Sequence, residues 1–306
     1  MSIIFGPVPS RRFGLSLGID LSPEHKACNF DCLYCELEPA KPVDHIPNPP
    51  SVEKVVKEVE EALQRFLDVE VITITANGEP TLYPYLDELI DELNKIKQDK
   101  KLLILSNASR IHEPSIQKTL AKLDIVKLSL DCATPRCFKR LDRPLKSISL
   151  ERIISGVEQF RRVYPGLLVI EVLVVKGIND KREEFARLGQ VLRRIKPDRV
   201  DVGTIDRPPA YNVEPVSYER LFELSGELHG LPVTIVSRHF GQNYFTDLSK
   251  EEILDLLAHR PLTQEDIAYL FDKRSQAMVR ELEREKRIKK IKVGNVEFIE
   301  KSSECV

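Results

Sequence analysis

The chain has 306 residues, 42% apolar and 31% charged, with Lys+Arg 46 against Asp+Glu 48. That composition supports a sizeable core and excludes a mainly disordered chain, and a net charge of −2 excludes a nucleic-acid binder that is polybasic throughout. The longest apolar stretch, residues 167–175, is interrupted by Glu171 and falls far short of the roughly 20 residues a membrane span needs.

The opening apolar stretch is too short for a signal peptide and is broken by Pro7 and Pro9, so a cytoplasmic, reducing location is expected. There the six cysteines are expected to serve as metal ligands or reactive thiols and not as disulfides.

In chain order, β-branched runs alternate with amphipathic stretches. Strands are expected at 16–21, 70–76, 101–106, 125–130, 167–175 and 199–204. Most are nearly continuous apolar runs, as in parallel strands buried on both faces. Helices are expected at 51–67, 85–97, 114–123, 150–163, 181–195 and 217–228, where apolar residues recur at helical spacing, as with Val55, Val59, Leu63 and Phe66. Six such units predict an α/β chain folded as a partial (βα)6 TIM-like barrel, with its chemistry at the C-terminal ends of the strands. The proline-rich segment 39–50 reads as an extended loop.

The texture changes after residues 233–237. Helices at 249–259, 262–271 and 275–285 precede strands at 289–293 and 295–299 around Gly294. Three helices and a two-strand wing form the winged-helix pattern, which predicts a core of residues 1–244 and a small domain of residues 245–306. From Asp272 to Lys292 nine basic residues face four acidic ones, a bias suited to nucleic-acid phosphates, although protein docking or cover for the barrel fits the same surface.

The strongest local signal is Cys28-Asn29-Phe30-Asp31-Cys32-Leu33-Tyr34-Cys35, in a loop just after the first strand. Three thiolates at spacings of four and three suit three irons of a [4Fe–4S] cube and leave the fourth iron open. A zinc site completed by His25 is the competing arrangement. This CxxxCxxC spacing, with Tyr34 before the last cysteine, resembles the radical S-adenosylmethionine (SAM) superfamily. The resemblance implies that Cys28, Cys32 and Cys35 hold the cluster and that SAM chelates the open iron. It further implies that a reductant such as flavodoxin or ferredoxin feeds electrons for cleavage to a 5′-deoxyadenosyl radical. Asn77-Gly78-Glu79-Pro80 resembles the family's turn for the SAM amino group, with carbonyls and Glu79 as acceptors. Ser106-Asn107 and Ser129 with Asp131 stand where the family meets the SAM carboxylate or ribose. Asn179, in the turn Lys176-Gly177-Ile178-Asn179, stands where it meets adenine.

The opening residues 5–14, the run Leu17-Gly18-Ile19-Asp20 and Arg207-Pro208-Pro209 resemble the wyosine-synthetase-related group, whose known members condense a tRNA guanine derivative with pyruvate carbons. The expected substrate is therefore a tRNA or other RNA nucleoside, held through the basic winged helix. Peptide modification and an iron–sulfur DNA-binding regulator are the alternatives. The chain departs from that group in having no cysteine before Cys28 and no evident imine-forming lysine.

Other residues stay open. Cys132 and Cys137 fit a hydrogen donor, a substrate-linking thiol, ligands of a second cluster with Cys305, or ordinary cysteines. Lys176 fits an imine former or an anion ligand. Arg11, Arg12 and Arg207 fit phosphate or carboxylate binding against plain salt bridging, and His239 fits a cavity group against an ordinary hydrogen-bonding partner.

Overall fold

The computed structural model describes residues 2–10, 12–235, 247–259, 261–293 and 296–302. Arg11, His239, Cys305, Gly294 and the expected domain boundary at 244–245 lie outside them. Eight strands form one sheet in chain order: β1 (Ile4–Ser10), β2 (Gly14–Asp20), β3 (Val71–Thr75), β4 (Lys101–Ser106), β5 (Ile125–Ser129), β6 (Leu167–Val174), β7 (Arg199–Thr204) and β8 (Val233–Ile235). β1 runs antiparallel to β2, and β2 to β8 are parallel. Among the described residues no pairing joins β1 to β8, so the curved sheet stays open as a partial barrel.

The helices α1 (Val52–Arg65), α2 (Leu86–Ile96), α3 (Pro114–Leu120), α4 (Pro135–Leu141), α5 (Leu150–Val163), α6 (Arg182–Ile195) and α7 (Tyr218–Ser225) follow the strands. All six expected strands and six expected helices are present. β1, β8 and α4 are additions. In the sequence β1 reads as a motif and not as a strand, because its pairing with β2 is invisible to local periodicity. α4 is a short helix begun by Pro135, with Thr134 as its cap.

Strand alternation sorts the side chains. Ile72, Ile74, Ile104, Val126, Leu128, Ile170 and Val202 pack under the helices in the main core. Their neighbours point into the barrel, where Val71, Leu103, Ile125 and Val169 close one end with Phe13. Above them lies a charged layer. Lys127 Nζ is 2.5 Å from Glu171, and Arg12 reaches Glu171 at 2.8 Å and Asp201 at 3.2 Å. Burial works against the charge on Glu171, yet Lys127 and Arg12 hold its carboxyl at about 2.

A second unit follows, with α8 (Lys250–His259), β9 (Leu262–Thr263), α9 (Gln264–Leu270), α10 (Lys273–Arg284), β10 (Ile288–Val293) and β11 (Val296–Lys301). Its three helices and hairpin match the expected order, and the unforeseen β9 pairs with β11 to give a three-stranded sheet. Ile253, Leu256, Leu282 and Ile299 form its core, into which Val8 of β1 and Phe66 also pack. Arg65 holds Glu252 through both terminal guanidinium nitrogens. No helix among the described residues is long and apolar enough to cross a membrane.

Candidate active site

The cysteine loop leaves the C-terminal end of β2 and is pinned from three sides. Ala27 N donates to the Asn77 carbonyl at 2.8 Å, and Glu79 N donates to the Ala27 carbonyl at 2.9 Å. This brings the turn after β3 directly against the residue before Cys28. Gly78 has φ of +145° there, and a side-chain carbon on it would lie 1.8 Å from the Ala27 oxygen. Only glycine fits. The C-terminal end of α4 supports the loop from a second side: Asp31 N donates to the Asp142 carbonyl and Leu33 N to the Leu141 carbonyl. The third side is the segment after β7. Ala210 N donates to the Cys35 carbonyl at 2.8 Å, Arg207 grips Glu36, and the Tyr211 hydroxyl donates to Asp31 at 2.6 Å. Arg207 is therefore engaged by Glu36 as a clamp on the loop, and the anion-binding role weighed for it gives way to that salt bridge.

Cys28, Cys32 and Cys35 are free thiols in this loop. Burial pushes all three up, Cys28 to about 12. Bound iron drives off such protons, since a coordinating thiol is deprotonated outright. Phe30 N donates to Cys28 Sγ at 3.4 Å and Asn107 Nδ2 approaches it at 3.7 Å. N–H groups aimed at sulfur stabilise thiolate ligands. Three soft donors on one loop, with hydrogen bonds already directed at one sulfur, fit an iron–sulfur cluster.

Beside the loop lies a cavity lined by Phe30, Tyr34, Asn107, Ser129, Leu130, Asp131 and Asp142, among others. The Tyr34 hydroxyl donates to Asp131 at 2.5 Å, while Leu173 N donates to the other carboxyl oxygen. Burial pushes Asp131 up to about 7. Asn107 donates to Asn29 at 2.8 Å. Tyr34, Asn107, Ser129 and Asp131 are thus brought together near the cysteines as expected.

Five further residues find their partners within the fold. Glu79 is 1% exposed, and its carboxylate accepts from Thr81 N, Thr81 Oγ1, Ser106 Oγ and Asn107 N. Glu79 and Ser106 therefore brace the turn, and the backbone carbonyls of Asn77 to Pro80 are left as the groups able to meet an ammonium. Asn179 is fully buried and ties Val175 N to the Asp131 and Leu173 carbonyls, a bond between strand ends. Lys176 stands on the surface, paired with Glu214 at 2.5 Å, and that hydrogen bond raises its pKa, away from the neutral amine an imine needs. Arg12 is engaged at the barrel floor by Glu171 and Asp201.

Cys132 and Cys137 form a disulfide, against the expectation of free thiols, so neither is a ligand or hydrogen donor in this state. The end of β5 and the first turn of α4 place their Cα atoms 5.6 Å apart, within bonding reach. Glu184 braces the same loop through Ala133 N, Thr134 N and Thr134 Oγ1. Without α4 in view, that proximity is illegible.

Sequence reasoning passed over Asn29, Asp142, Tyr211 and the layer of Lys127, Glu171 and Asp201. The last had a signal, because each charge interrupts an apolar strand on the inward-facing side.

Glu79→Gln is expected to lower stability by about 1–3 kcal/mol, since one carboxyl oxygen becomes a donor facing another donor. Thermal unfolding checks this, with SAM affinity and iron content measured alongside. Unchanged stability with lost affinity would instead make Glu79 a direct ligand.

The profile of the Radical SAM superfamily matches residues 25–189. A UPF0026 protein of Helicobacter pylori is 40% identical over 97% of both chains. Among solved structures, SuiB of Streptococcus suis bound to precursor peptide SuiA superposes with a TM-score of 0.58 at 21% identity, over 80% of this chain and 54% of that one. TYW1 with a lysine–pyruvate adduct superposes at 0.51 and 17% identity, over 70% and 72%. These last two likenesses establish the shared α/β fold. The family match, carried by the segment that holds the cysteine loop and the cavity, shows that this chain belongs to the radical SAM superfamily, enzymes that work with a [4Fe–4S] cluster and S-adenosylmethionine.

Proposed function

We propose that Cys28, Cys32 and Cys35 bind the cluster and that the carbonyls of the Asn77–Pro80 turn receive the amino group of SAM. The carrying observation is the Ala27–Gly78 contact, which sets three free thiols against that turn. When bound, the cluster and SAM supply reductive cleavage of SAM and a radical that takes hydrogen from an unactivated C–H bond. The chain's own residues orient and enclose. Tyr34 and Asp131 shape the cavity wall, and the segment of Arg207, Ala210 and Tyr211 covers the loop against water. Lys127, Arg12, Glu171 and Asp201, paired with one another, close the barrel floor beneath the cavity. A flavodoxin or ferredoxin in a reducing cytoplasm is the fitting electron source.

The substrate we favour is an RNA nucleoside. The second unit reads as a winged helix, and α10 presents Lys273, Arg280 and Arg284 along one exposed side, continued by Lys286, with no ion pair among the described residues. Spacings of seven and four keep these cations in line for phosphates. The local bias is narrow, however. Arg274, Arg287, Lys289 and Lys290 pair with acids, and residues 247–302 hold twelve Lys/Arg against twelve Asp/Glu. That neutrality supports peptide modification as the second reading.

The test is 5′-deoxyadenosine formation by anaerobically reconstituted, dithionite-reduced enzyme, with and without total tRNA. Stimulation by tRNA, with a new nucleoside mass, is expected. Formation indifferent to tRNA would keep the SAM chemistry and move the substrate to peptides or small molecules. No formation at full iron load would favour an iron–sulfur regulator.

A further inference from the structure

The last residue of α8 reaches back to the barrel. The His259 side chain is 6% exposed, with Nε2 3.2 Å from Asp20 Oδ2 and Nδ1 2.7 Å from the Asp255 carbonyl oxygen. The carbonyl only accepts, and so does an ionised Asp20. A neutral imidazole carries one N–H and would satisfy just one of them. The geometry therefore calls for the imidazolium, donating from both nitrogens. Phe5 of β1 stacks on the ring at 4.6 Å and 7°.

The other Asp20 oxygen accepts from Asn77 N at 2.7 Å and from Ser22 N at 2.9 Å. One carboxylate thus joins the second unit to the first residue of the turn assigned to SAM. From Asn77 the chain of bonds continues to Ala27, next to Cys28.

We propose that His259 is a positioning residue that, through Asp20, holds the Asn77–Pro80 turn ready for SAM and so couples the second unit to cofactor binding. The proposal rests on the assignment of that turn to SAM. Three groups face the ring: Asp20 from β2, Asp255 from α8 itself, and Phe5. Burial opposes the charge, but the bonds to Asp20 and Asp255 hold the His259 pKa above its ordinary value. The sign follows. The pair is complete below about 6.5, the ordinary histidine value, and is lost as pH rises through the raised one.

The test is equilibrium dialysis of labelled SAM against the cluster-loaded enzyme from pH 6 to 9, with iron and sulfide assayed. His259→Gln is expected to weaken binding about tenfold at pH 6, within the usual range of coupling between sites. Its ratio to wild type should shrink toward one as pH rises, and taking the ratio removes the titration of SAM itself. His259→Arg, charged throughout, should restore most of the affinity. Equal affinity of His259→Gln and wild type at every pH overturns the proposal, as does an arginine variant no better than the glutamine one. Gly78→Ala separates the two failures. If it too leaves SAM affinity unchanged, the turn is not the SAM site.

Discussion

Cys32→Ala is expected to strip the protein of its cluster and to drop 5′-deoxyadenosine formation to the protein-free background. Two thiols remain on the loop, and a cube presenting one open iron needs three. Burial raises the Cys32 pKa, and Asp142 lies 3.7 Å from its sulfur. A smaller side chain there meets support from Asp142 and Leu141 that does not depend on the sulfur, so far-ultraviolet circular dichroism should be unchanged. Cys137→Ala is the internal control. Its sulfur pairs with Cys132 outside the cysteine loop, and full iron loading is expected. Retained SAM cleavage in Cys32→Ala, or lost iron in Cys137→Ala, would reverse the assignment of ligands.

Gly78→Ala should be nearly as damaging although it removes no chemical group. The added carbon would lie 1.8 Å from the Ala27 oxygen and 2.3 Å from its carbonyl carbon, both backbone atoms. Something must move, and what moves is either the turn or the cysteine loop. Strained backbone at positive φ costs about 1–3 kcal/mol by itself, and here the displaced carbonyl belongs to the residue before Cys28. SAM affinity is expected to fall by a factor of about 100 or more, equivalent to roughly 3 kcal/mol, with partial loss of iron. Gly177→Ala provides the contrast. Gly177 has φ of +74° with nothing within 4 Å, so only the left-handed backbone penalty of about 1–2 kcal/mol applies. Calorimetric unfolding of the two variants, read beside SAM binding, distinguishes a crowded contact from a strained turn.

The cysteine triad, the Asn77–Pro80 turn and the strand-helix rhythm were all legible because each is local. Spacing within a few residues decides whether three thiols share a loop, and alternation decides which strands are buried on both faces. The residues whose partners only the fold reveals share a different property. Glu79 reads as an acceptor for an ammonium, and in the fold four donors from Thr81, Ser106 and Asn107 enclose it. Lys176 ends a strand, yet it points to Glu214 on the surface. Cys132 and Cys137 are five residues apart, yet only the turn into α4 brings them into bonding distance.

The amino-acid sequence by itself determined the α/β class, the six parallel units, the cysteine loop and the order of elements in the second unit. Periodicity and side-chain chemistry act over a few residues and survive without knowledge of partners. The tertiary structure alone decided which polar groups are free to act. It buried Lys127 with Glu171, locked Arg207 onto Glu36, and carried His259 across 239 positions to Asp20. A buried polar group must find a partner, and when that partner lies in a distant strand or another unit, only the folded chain names it.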